Sequence, residues 1–522
     1  MSKFVIALDQ GTTSSRALLI NAQGEVQGVA QQAFEQHFPQ PGWVEHDPFD
    51  ILGSQIGVLR QLMDEQGISA QDVAALGITN QRETTVVWDA RTGLPFGNAI
   101  VWQCRRTASI VEELCSAPDV HGRIIATTGL VSDAYFSASK IKWILDNVEG
   151  AREAADAGFA RFGTVDTWLI YNLTGGAVHA TDYTNASRTM LFDIHAGAWD
   201  EWLCNLFGVP LSMLPDVRPS AADFGKTAIS IPALALSEGC PCSIAAAQQS
   251  IFESIPANIP ICGVAGDQQA ALFGHLATQP GEAKNTYGTG CFLLMHTGEQ
   301  AIASRNNLVT TIAASAPNTP ALEYALEGSV FMAGALIQWL RDELHLIESA
   351  SETEALATSV PDSAGVYVVP AFTGLGAPYW DASARGAIYG LTRGAGRAHV
   401  VRACLEALAF QVADLVAAME DDCGQHLETL AVDGGACKNN FLMQFQADIL
   451  DSTIERPANV EATALGAAYL AGLFCGFWED IEQIRKLHAI EAEFSPTMET
   501  ARRRELLAGW ADCISRTKSN KE

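Results

Sequence analysis

Apolar positions near the N-terminus form two short runs that a polar turn separates. The first run spans residues 4–8 and stops at Asp9. The second spans residues 17–20 within the segment 15–20, which ends in the turn 21–24. Short apolar runs bounded by glycine and polar residues are typical of strands, so the pattern predicts a β-hairpin. Its first turn is rich in glycine and hydroxyl side chains.

The same pattern returns in the second half of the chain. The turn Gly288-Thr289-Gly290 precedes the apolar run 291–295, which ends at Thr297-Gly298. Two hairpins with a Gly-Thr turn, one in each half, predict an internal duplication.

Strand-like and helical patterns alternate elsewhere. Residues 261–265 predict a strand that leads directly into a helix beginning at Asp267. Helical periodicity marks three later segments, of which the last is rich in alanine and glycine and suited to close packing: 329–344, 441–450 and 462–473. Because 522 residues exceed the size at which one hydrophobic core stops growing, we expect a mixed α/β fold with two related domains, 1–274 and 275–522.

Composition and charge exclude several classes of function. A formal net charge of −28 and a pI near 4.7 repel nucleic acid backbones and anionic lipid surfaces, so neither is an expected partner. The chain has no apolar run of the roughly 18 residues that span a bilayer and no signal peptide pattern. The 12 cysteines lack zinc-ligand spacing, and the close pair Cys240 and Cys242 is interpreted as surface thiols in a loop. A cytoplasmic location is therefore expected.

Two common nucleotide-binding motifs are absent. Gly225-Lys226-Thr227 has Ser220 where a P-loop needs its first glycine, and it follows no predicted strand. The pair Gly288 and Gly290 lacks a third glycine, since position 293 is leucine. Because the negative field also opposes ATP, a nucleotide site must depend on backbone N–H groups, Mg²⁺ and a few cations.

The turn after the first strand is the first candidate phosphate site. Glycine lets backbone N–H groups face an anion, hydroxyls donate to phosphate oxygens, and Asp9 can hold Mg²⁺ directly or through water. An ordinary turn between strands, where these residue types are common, explains it equally well. The other residues of this candidate site are Gly11, Thr12, Thr13, Ser14 and Arg16.

Three further segments are candidates for contacts with the nucleotide. Thr289 lies in the second Gly-Thr turn, and the cluster 433–436, which includes Gly435 and Ala436, leads to a helix with Asn439. Small residues there let a purine or ribose approach the backbone. Gly334 and Gln338 share one face of a predicted helix, which indicates either close helix packing or a surface toward the nucleotide.

An acceptor site is predicted from the loop that carries Arg82 and Glu83, between the β-like runs 74–78 and 84–88. Adjacent side chains point apart on a strand or helix, so only a strand-end loop lets both contact one ligand. Asp267 either caps its helix or accepts a hydroxyl proton during phosphoryl transfer, with Gln268 beside it. A donor fork beside a carboxylate suits an uncharged molecule with several hydroxyls.

These residues and two longer stretches resemble the FGGY family of carbohydrate kinases. The stretches are residues 135–147, beginning Tyr-Phe-Ser-Ala-Ser-Lys, and residues 386–391, Gly-Ala-Ile-Tyr-Gly-Leu, continuing to Glu406. The resemblance implies two actin-like, ribonuclease H-like domains with an interdomain cleft. The domain 1–274 would hold the polyol site and first phosphate loop, and 275–522 the second phosphate loop and adenosine site. The segment 221–260 departs from the family pattern.

The resemblance also implies roles for individual residues. Asp267 would be the general base and Asp9 the Mg²⁺ residue. Trp102 and Tyr135, which fall in loops after apolar runs, would wall a pocket for the acceptor together with Phe292. The remaining acceptor contacts would be Arg82, Glu83 and Gln268, and the ATP contacts Gly11, Thr12, Thr13, Ser14, Arg16, Thr289, Gly334, Gln338, Gly435, Ala436 and Asn439.

The implied reaction is ATP-dependent phosphorylation of glycerol to sn-glycerol 3-phosphate and ADP, the entry step of glycerol catabolism. The motif Asn80-Gln81-Arg82-Glu83-Thr84 is similar to that of family members acting on glycerol rather than on sugars. Two alternatives are another acceptor, such as erythritol, xylulose or dihydroxyacetone, and an actin-like ATPase switch without an acceptor. The resemblance further implies a homo-oligomer, either a dimer or a tetramer.

Overall fold

The computed structural model describes residues 3–229, 250–381 and 383–519. The predicted loop cysteines Cys240 and Cys242 lie outside the described residues. The chain divides into two compact units. Unit 1 comprises Met1–Leu276, Thr311–Tyr324 and Ala462–Leu487, and unit 2 comprises Ala277–Thr310, Ala325–Glu461 and His488–Glu522.

Strands and helices alternate along both units. In the described part of the chain, strands β1 to β22 are, in order, Phe4–Gln10, Ser14–Asn21, Val26–Ala33, Glu45–His46, Val73–Asn80, Val86–Asp89, Ala99–Ile100, Ala160–Gly163, Ala180–Asp182, Phe192–Asp193, Ala198–Trp199, Asp216–Arg218, Ile261–Gly266, Ala283–Tyr287, Cys291–Gly298, Val309–Ile312, Tyr324–Val330, Tyr367–Val369, Ala387–Tyr389, Thr429–Asp433, Thr453–Pro457 and Ile490–Phe494.

Helices α1 to α16 of the same described residues are, in order, Pro48–Gln66, Ala108–Cys115, Pro118–Thr128, Ser137–Asn147, Ala151–Asp156, Val165–Leu173, Tyr183–Ala186, Glu201–Phe207, Asp267–Gly274, Gly334–Asp342, Glu352–Thr358, Arg397–Cys423, Asn440–Leu450, Ala462–Phe474, Ile481–Leu487 and Thr500–Thr517. None of them is long and apolar enough to span a membrane. Short 3₁₀ turns occupy Ala70–Asp72, Leu211–Met213 and Gly435–Lys438.

Unit 1 is built on a five-stranded sheet of order β13-β5-β1-β2-β3. The hairpin β1–β2 is antiparallel with Asp9 opposite Arg16, as the first apolar pattern predicted, whereas β5 and β13 run parallel to β1. Strands β1, β5 and β13 are largely buried, which explains their nearly continuous apolar sequences.

The sheet of unit 2 repeats this arrangement. Its order is β16-β17-β15-β14-β20-β21-β22, in which the antiparallel hairpin β14–β15 has β20 parallel to β14 and β21 parallel to β20. The order β21-β20-β14-β15-β17 therefore corresponds to the order in unit 1. The mixed α/β prediction is confirmed, and the shared strand order supports the predicted duplication.

The alanine- and glycine-rich helix α14 packs in unit 1. A Cβ atom on Gly77 of β5 would overlap the carbonyl oxygen of Ala467, and one on Gly263 of β13 would lie 2.5 Å from the amide nitrogen of Ala471. Helix and sheet approach this closely only because those positions lack side chains. The division after Gly274 assigned this helix to the second domain, but the structure places it in unit 1.

One predicted helix begins later than its periodicity indicated. Residues 329 and 330 complete strand β17, and helix α10 starts only at Gly334. A Cβ atom on Gly334 would lie 2.7 Å from the carbonyl oxygen of Gly288. The predicted start of the helix at residue 329 was therefore wrong. Gly334 is helical, as predicted, but it is the first helical residue and packs against the second Gly-Thr turn. The other two helices predicted in this half lie within one residue of their predicted bounds.

Candidate active site

Three parallel strands of unit 1 end at one edge of the sheet and carry the predicted catalytic residues. Asp9 lies at the end of β1, Arg82 and Glu83 follow β5, and Asp267 follows β13. The register pairs Asp9 with Thr79 and places Gly266 beside Asn80, so the three strand ends are level. The carboxyl edge of an open sheet is where such folds usually bind ligands.

The first candidate phosphate turn is tight and partly open to solvent. The Gly11 amide donates to the carbonyl oxygen of Ser14 at 3.0 Å, and Thr13 at its tip is exposed. The guanidinium of Arg16 lies 3.7 Å from the Asp9 carboxylate, on the paired strand. The turn thus presents hydroxyls, a glycine and a cation next to a carboxylate.

The acceptor loop joins its two charged residues to Asp267. Arg82 Nε lies 3.1 Å from Asp267 Oδ1 and 3.9 Å from Glu83 Oε1, while its Nη1 donates to Gln269 Oε1 at 3.1 Å. The side chains of Arg82 and Glu83 are almost fully buried, whereas that of Asp267 is 32% exposed. A carboxylate that reaches solvent beside a fixed guanidinium is positioned to contact a bound molecule.

A left-handed residue explains how adjacent side chains come together in this loop. Glu83 has φ of 58°, a conformation that is uncommon for residues other than glycine and is often found at functional sites. It breaks the strand alternation that would send Arg82 and Glu83 to opposite faces. The expectation of a strand-end loop at these positions is confirmed.

Two buried cations lie behind Glu83. Arg188 Nε donates to Glu83 Oε1 at 2.6 Å, and the Lys140 ammonium donates to the carbonyl oxygens of Glu83, at 3.3 Å, and Tyr135. Burial lowers the pKa of Lys140 to about 7, an effect that the nearby Glu83 carboxylate partly opposes. The sequence analysis did not predict these contacts with Glu83, and it named Lys140 only as one residue of the stretch 135–147, because the contacts join segments 105 and 57 positions apart.

The aromatic pair predicted to wall the acceptor pocket is in contact. The rings of Trp102 and Tyr135 meet edge to face with centroids 5.6 Å apart. Trp102 Nε1 also donates to Thr12 Oγ1 at 3.0 Å, so the same indole contacts the acceptor side and the first phosphate turn.

A second link to the phosphate turn passes through Gln81. Its amide nitrogen donates to Gln10 Oε1 and to the carbonyl oxygen of Gly11, both at 3.1 Å, and its amide oxygen accepts from Thr84 Oγ1 at 3.0 Å. The side chain is buried, so these bonds fix the loop against the turn. Burial lowers the pKa of the adjacent His46 to about 4, which keeps that ring neutral beside Gln81.

Asp267 begins helix α9 but does not cap it. The N-cap is Gly266, and Asp267 is the first helical residue, so the capping alternative was wrong. Its Oδ1 accepts from the backbone amide of the neighbouring Gln268 at 2.7 Å. The side chain therefore meets the helix N-terminus, which favours a carboxylate.

The second Gly-Thr turn lies at the corresponding edge of unit 2. Thr289 is exposed, and its carbonyl oxygen accepts from the amide of Ala333 at 2.9 Å, next to the start of helix α10. Gly290 has no room for a side chain, because a Cβ atom would overlap the carbonyl oxygen of Val330. Further along the same helix, Gln338 is exposed.

Strand β20 ends level with this turn, since Asp433 pairs with Thr286, and the glycine cluster 433–436 begins there. Gly434 has φ of 84° and packs on the carbonyl of Tyr287, whereas no atom lies within 4 Å of a Cβ on Gly435. Ala436 follows in a 3₁₀ turn. The Asn439 side chain caps helix α13, where Oδ1 accepts from the Leu442 amide at 3.0 Å. Asn439 therefore has a structural role in addition to its predicted contact with the nucleotide.

Phe292 is partly buried on strand β15 in unit 2. Its place in the acceptor pocket stays a prediction, as do the nucleotide contacts of Gly334, Gln338, Gly435, Ala436 and Asn439.

A surface pocket elsewhere in unit 1 has no matching chemistry. It encloses about 530 Å³ and is lined by Trp199, Trp202, Arg123 and several acidic side chains. Two of those carboxylates already accept backbone N–H groups, Asp193 within a turn and Asp200 as the cap of α8. The strand-end site, in contrast, brings together Arg82, Glu83 and Asp267, the residues predicted to act in phosphoryl transfer.

Comparisons with known proteins identify the family of the whole chain. Residues 4–252 match the N-terminal domain and residues 283–475 the C-terminal domain of the FGGY family of carbohydrate kinases. The glycerol kinases of Carboxydothermus hydrogenoformans and Haemophilus influenzae are 54% and 55% identical over 516 residues, which cover 99% of this chain and 98% and 97% of theirs.

Solved structures show the same fold. The Plasmodium falciparum glycerol kinase, whose crystal structure contains ADP, has a TM-score of 0.89 at 36% identity and covers 100% of this chain and 99% of its own. A xylulose kinase from Lactobacillus acidophilus, 20% identical over 98% of both chains, has a TM-score of 0.84 and shares the fold. The chain belongs to the FGGY family of carbohydrate kinases.

Proposed function

We propose that this chain transfers the γ-phosphoryl group of ATP to glycerol and releases sn-glycerol 3-phosphate and ADP. The observation that carries the proposal is the contact of Arg82 with both Asp267 and Glu83 at the carboxyl edge of the unit 1 sheet. The full-length glycerol kinase relatives support this choice of acceptor, as does the ADP in the related crystal structure.

Asp267 is the general base of the proposed reaction. The primary hydroxyl oxygen of glycerol bonds to the γ-phosphorus as the bond to the β–γ bridging oxygen breaks, and the hydroxyl proton passes to the Asp267 carboxylate. A carboxylate suffices because the transition state is loose and positioning dominates. The Arg82 guanidinium, 3.1 Å away, fixes the orientation of that carboxylate.

Arg82 and Glu83 select an uncharged polyol. Arg82 supplies N–H donors and Glu83 supplies carboxylate acceptors, which together match adjacent hydroxyls. The rings of Trp102 and Tyr135 cover the carbon face of the molecule. All four groups lie on loops of unit 1.

Asp9 fits the role of a Mg²⁺ ligand. Mg²⁺ is commonly held by one or two carboxylates together with substrate phosphates and water, and no cluster of three metal-ligating side chains occurs among the described residues. When bound, Mg²⁺ would neutralise charge on the β- and γ-phosphates. Arg16, 3.7 Å from Asp9, and the first Gly-Thr turn would hold the phosphate chain.

A panel of acceptors tests the proposal. Purified chain with ATP and Mg²⁺ is assayed for ADP release with glycerol, dihydroxyacetone, erythritol and xylulose, and coupling to an sn-glycerol-3-phosphate dehydrogenase identifies the product. We expect the highest kcat/KM with glycerol. A higher value with a sugar would favour another acceptor, and ATP hydrolysis that no polyol changes would favour a switch ATPase. Oligomerisation and a cytoplasmic location stay predictions.

A further inference from the structure

The Glu83 carboxylate is held by a cation from a distant part of the chain. Arg188 follows helix α7 and is 1% exposed, and its Nε donates to Glu83 Oε1 at 2.6 Å. Glu83 is equally buried at 1%. A carboxylate removed from water to this degree needs a cationic partner, because an unpaired buried charge is strongly unfavourable.

The backbone of Glu83 is held from another direction. Its carbonyl oxygen accepts from Lys140 Nζ at 3.3 Å and from Ser137 Oγ at 3.1 Å. The same ammonium donates to the carbonyl oxygen of Tyr135. Lys140 is completely buried on helix α4, so one side chain joins the two loop segments that carry predicted acceptor contacts.

Arg188 also contacts the aromatic side of the pocket. Its guanidinium carbon lies 5.7 Å from the ring centre of Tyr135 and 5.3 Å from that of Phe136. The neighbouring Thr189 carbonyl accepts from the Ala138 amide at 2.8 Å, which joins this segment to helix α4. Arg188 thus contacts both Glu83 and Tyr135, two of the predicted acceptor ligands.

We propose that Arg188 and Lys140 are positioning residues for the acceptor, which they orient through Glu83 and Tyr135. The inference rests on the proposed function, since it takes Glu83 as an acceptor ligand. A charge-assisted hydrogen bond to Oε1 restrains the rotation of the Glu83 carboxylate and therefore the direction of its other oxygen. The ammonium keeps the left-handed backbone of Glu83 in register with Tyr135.

A double-mutant cycle tests this route of action. Glu83→Gln, Arg188→Gln and the double variant are made in the full chain, and KM for glycerol, KM for ATP and kcat are measured for each. We expect Arg188→Gln to raise the KM for glycerol by up to about 100-fold, the fold-change that corresponds to losing one hydrogen bond to a charged group. The KM for ATP should change less than about threefold.

The double variant separates an indirect role from a direct one. If Arg188 acts through Glu83, the double variant should match Glu83→Gln in its glycerol kcat/KM, because the second change then removes nothing further. It also removes both members of the Glu83–Arg188 pair, so neither is left as a buried charge without the other, and it should fold even where Arg188→Gln does not. Multiplied effects of the two single changes would overturn the proposal.

Arg106→Gln is the matched control. Arg106 is an equally enclosed arginine of unit 1, paired with Glu45 at 2.7 Å and stacked on Trp43 at 3.8 Å. We expect a similar loss of thermal stability in this variant with an unchanged KM for glycerol. An equal rise in the KM for glycerol in both variants would mean that any buried arginine has this effect, and the assignment to Arg188 would be wrong.

Conservative and neutral replacements complete the test. Arg188→Lys keeps the charge but loses the planar fork, so we expect its KM for glycerol to rise only about tenfold. Lys140→Met should raise it as well, without changing the KM for ATP. If Glu83→Gln itself leaves the KM for glycerol unchanged, the proposed acceptor site fails. If the Arg188 and Lys140 variants leave the KM for glycerol unchanged but Glu83→Gln raises it, the positioning role is wrong and the acceptor site stands.

Discussion

The two units place the same strand order behind very different chemistry. In unit 1 the strand ends carry charged side chains held by ion pairs, such as Arg82 with Asp267 at 3.1 Å. In unit 2 the corresponding ends, after β14 and β20, carry glycine turns, and the second turn offers one exposed hydroxyl, Thr289. The same strand order therefore presents charged side chains beside a Gly-Thr turn at the edge of unit 1, and glycine turns at the edge of unit 2.

This difference matches two kinds of ligand. An alcohol needs oriented donors, an acceptor and a base, which only side chains provide. A phosphate chain and a purine need backbone N–H groups and a surface without side chains. With a net charge of −28, the chain gains from using local backbone donors for the anion.

The largest effect is expected from a substitution at the charged edge of unit 1. Asp267→Asn keeps an oxygen for Arg82 but cannot accept the hydroxyl proton, so we expect kcat to fall by roughly 10²- to 10⁴-fold. Binding of ATP, measured by calorimetry, should stay unchanged. Near-normal kcat in this variant would rule out the base assignment, whatever happens to the KM for glycerol.

The next largest effect is expected from a substitution in the glycine cluster of unit 2. Gly434→Ala forces a side chain into a left-handed position (φ 84°) where it meets the carbonyl of Tyr287, at a strain of about 1–2 kcal/mol or more. We expect the KM for ATP to rise about tenfold and the KM for glycerol to stay the same.

Gly424→Ala is the control for backbone strain alone. Gly424 also lies in unit 2 with φ of 69°, but no atom lies within 4 Å of its Cβ position. This variant should lose a similar amount of stability from the left-handed conformation and keep a normal KM for ATP. A rise in the KM for ATP there would show that instability, not the turn, causes the effect at Gly434.

Local sequence patterns predicted the elements well, because hydrophobic periodicity is a local property. The two hairpins, the strand before Asp267 and the close-packed helix α14 all follow from runs of a few residues. The helix predicted from residue 329 was wrong at its start, since alternating and helical patterns overlap where strand β17 turns into α10. Tertiary packing of Gly334 decided the boundary.

Contacts between distant segments could not be predicted in this way. Arg188 and Glu83 are 105 positions apart, and nothing around Arg188 distinguishes it from a surface arginine. The role of a glycine could not be predicted for the same reason. Gly77 and Gly263 lie in strands, and they are required because the backbone of α14 packs directly on them. The loop carrying Arg82 and Glu83 was predictable, since strand geometry excludes adjacent residues from one face.

A smaller effect is expected at Trp102, which joins the predicted acceptor pocket to the first phosphate turn. Trp102→Phe keeps the ring beside Tyr135 but removes the 3.0 Å hydrogen bond to Thr12, which contributes about 0.5–1.5 kcal/mol. We expect the KM for glycerol and the KM for ATP each to rise a few-fold, about threefold to tenfold.

Trp199→Phe is the matched control for Trp102. It removes an indole hydrogen bond of the same length, 3.0 Å to the carbonyl oxygen of Pro215, outside the site. Its kinetics should be those of the unchanged chain. A rise in only one KM for Trp102→Phe would show that the indole serves a single substrate and does not join the two.

The smallest effect on catalysis concerns the support beneath the acceptor loop. Asp166 is buried beside Asp182 and accepts from Thr181 Oγ1 at 2.6 Å, and Asp182 accepts from Asn185, whose side-chain oxygen accepts from Asn80 at 3.0 Å. Burial, and then the charge of Asp182, raises the pKa of Asp166 to about 7. The folded state therefore binds a proton between about pH 4 and pH 7 that the unfolded state releases.

It follows that Asp166 makes the free energy of unfolding decrease as pH rises through that window and leaves it level above about pH 7. Asp166→Asn removes this dependence. Between pH 4 and pH 8, the free energy of unfolding of the variant should therefore rise relative to that of the unchanged chain by up to about 4 kcal/mol. Urea unfolding at both pH values measures the difference, with kcat expected to stay near normal. A constant difference would mean that Asp166 is ionised throughout, with the hydroxyls of Thr164 and Thr181 stabilising its carboxylate.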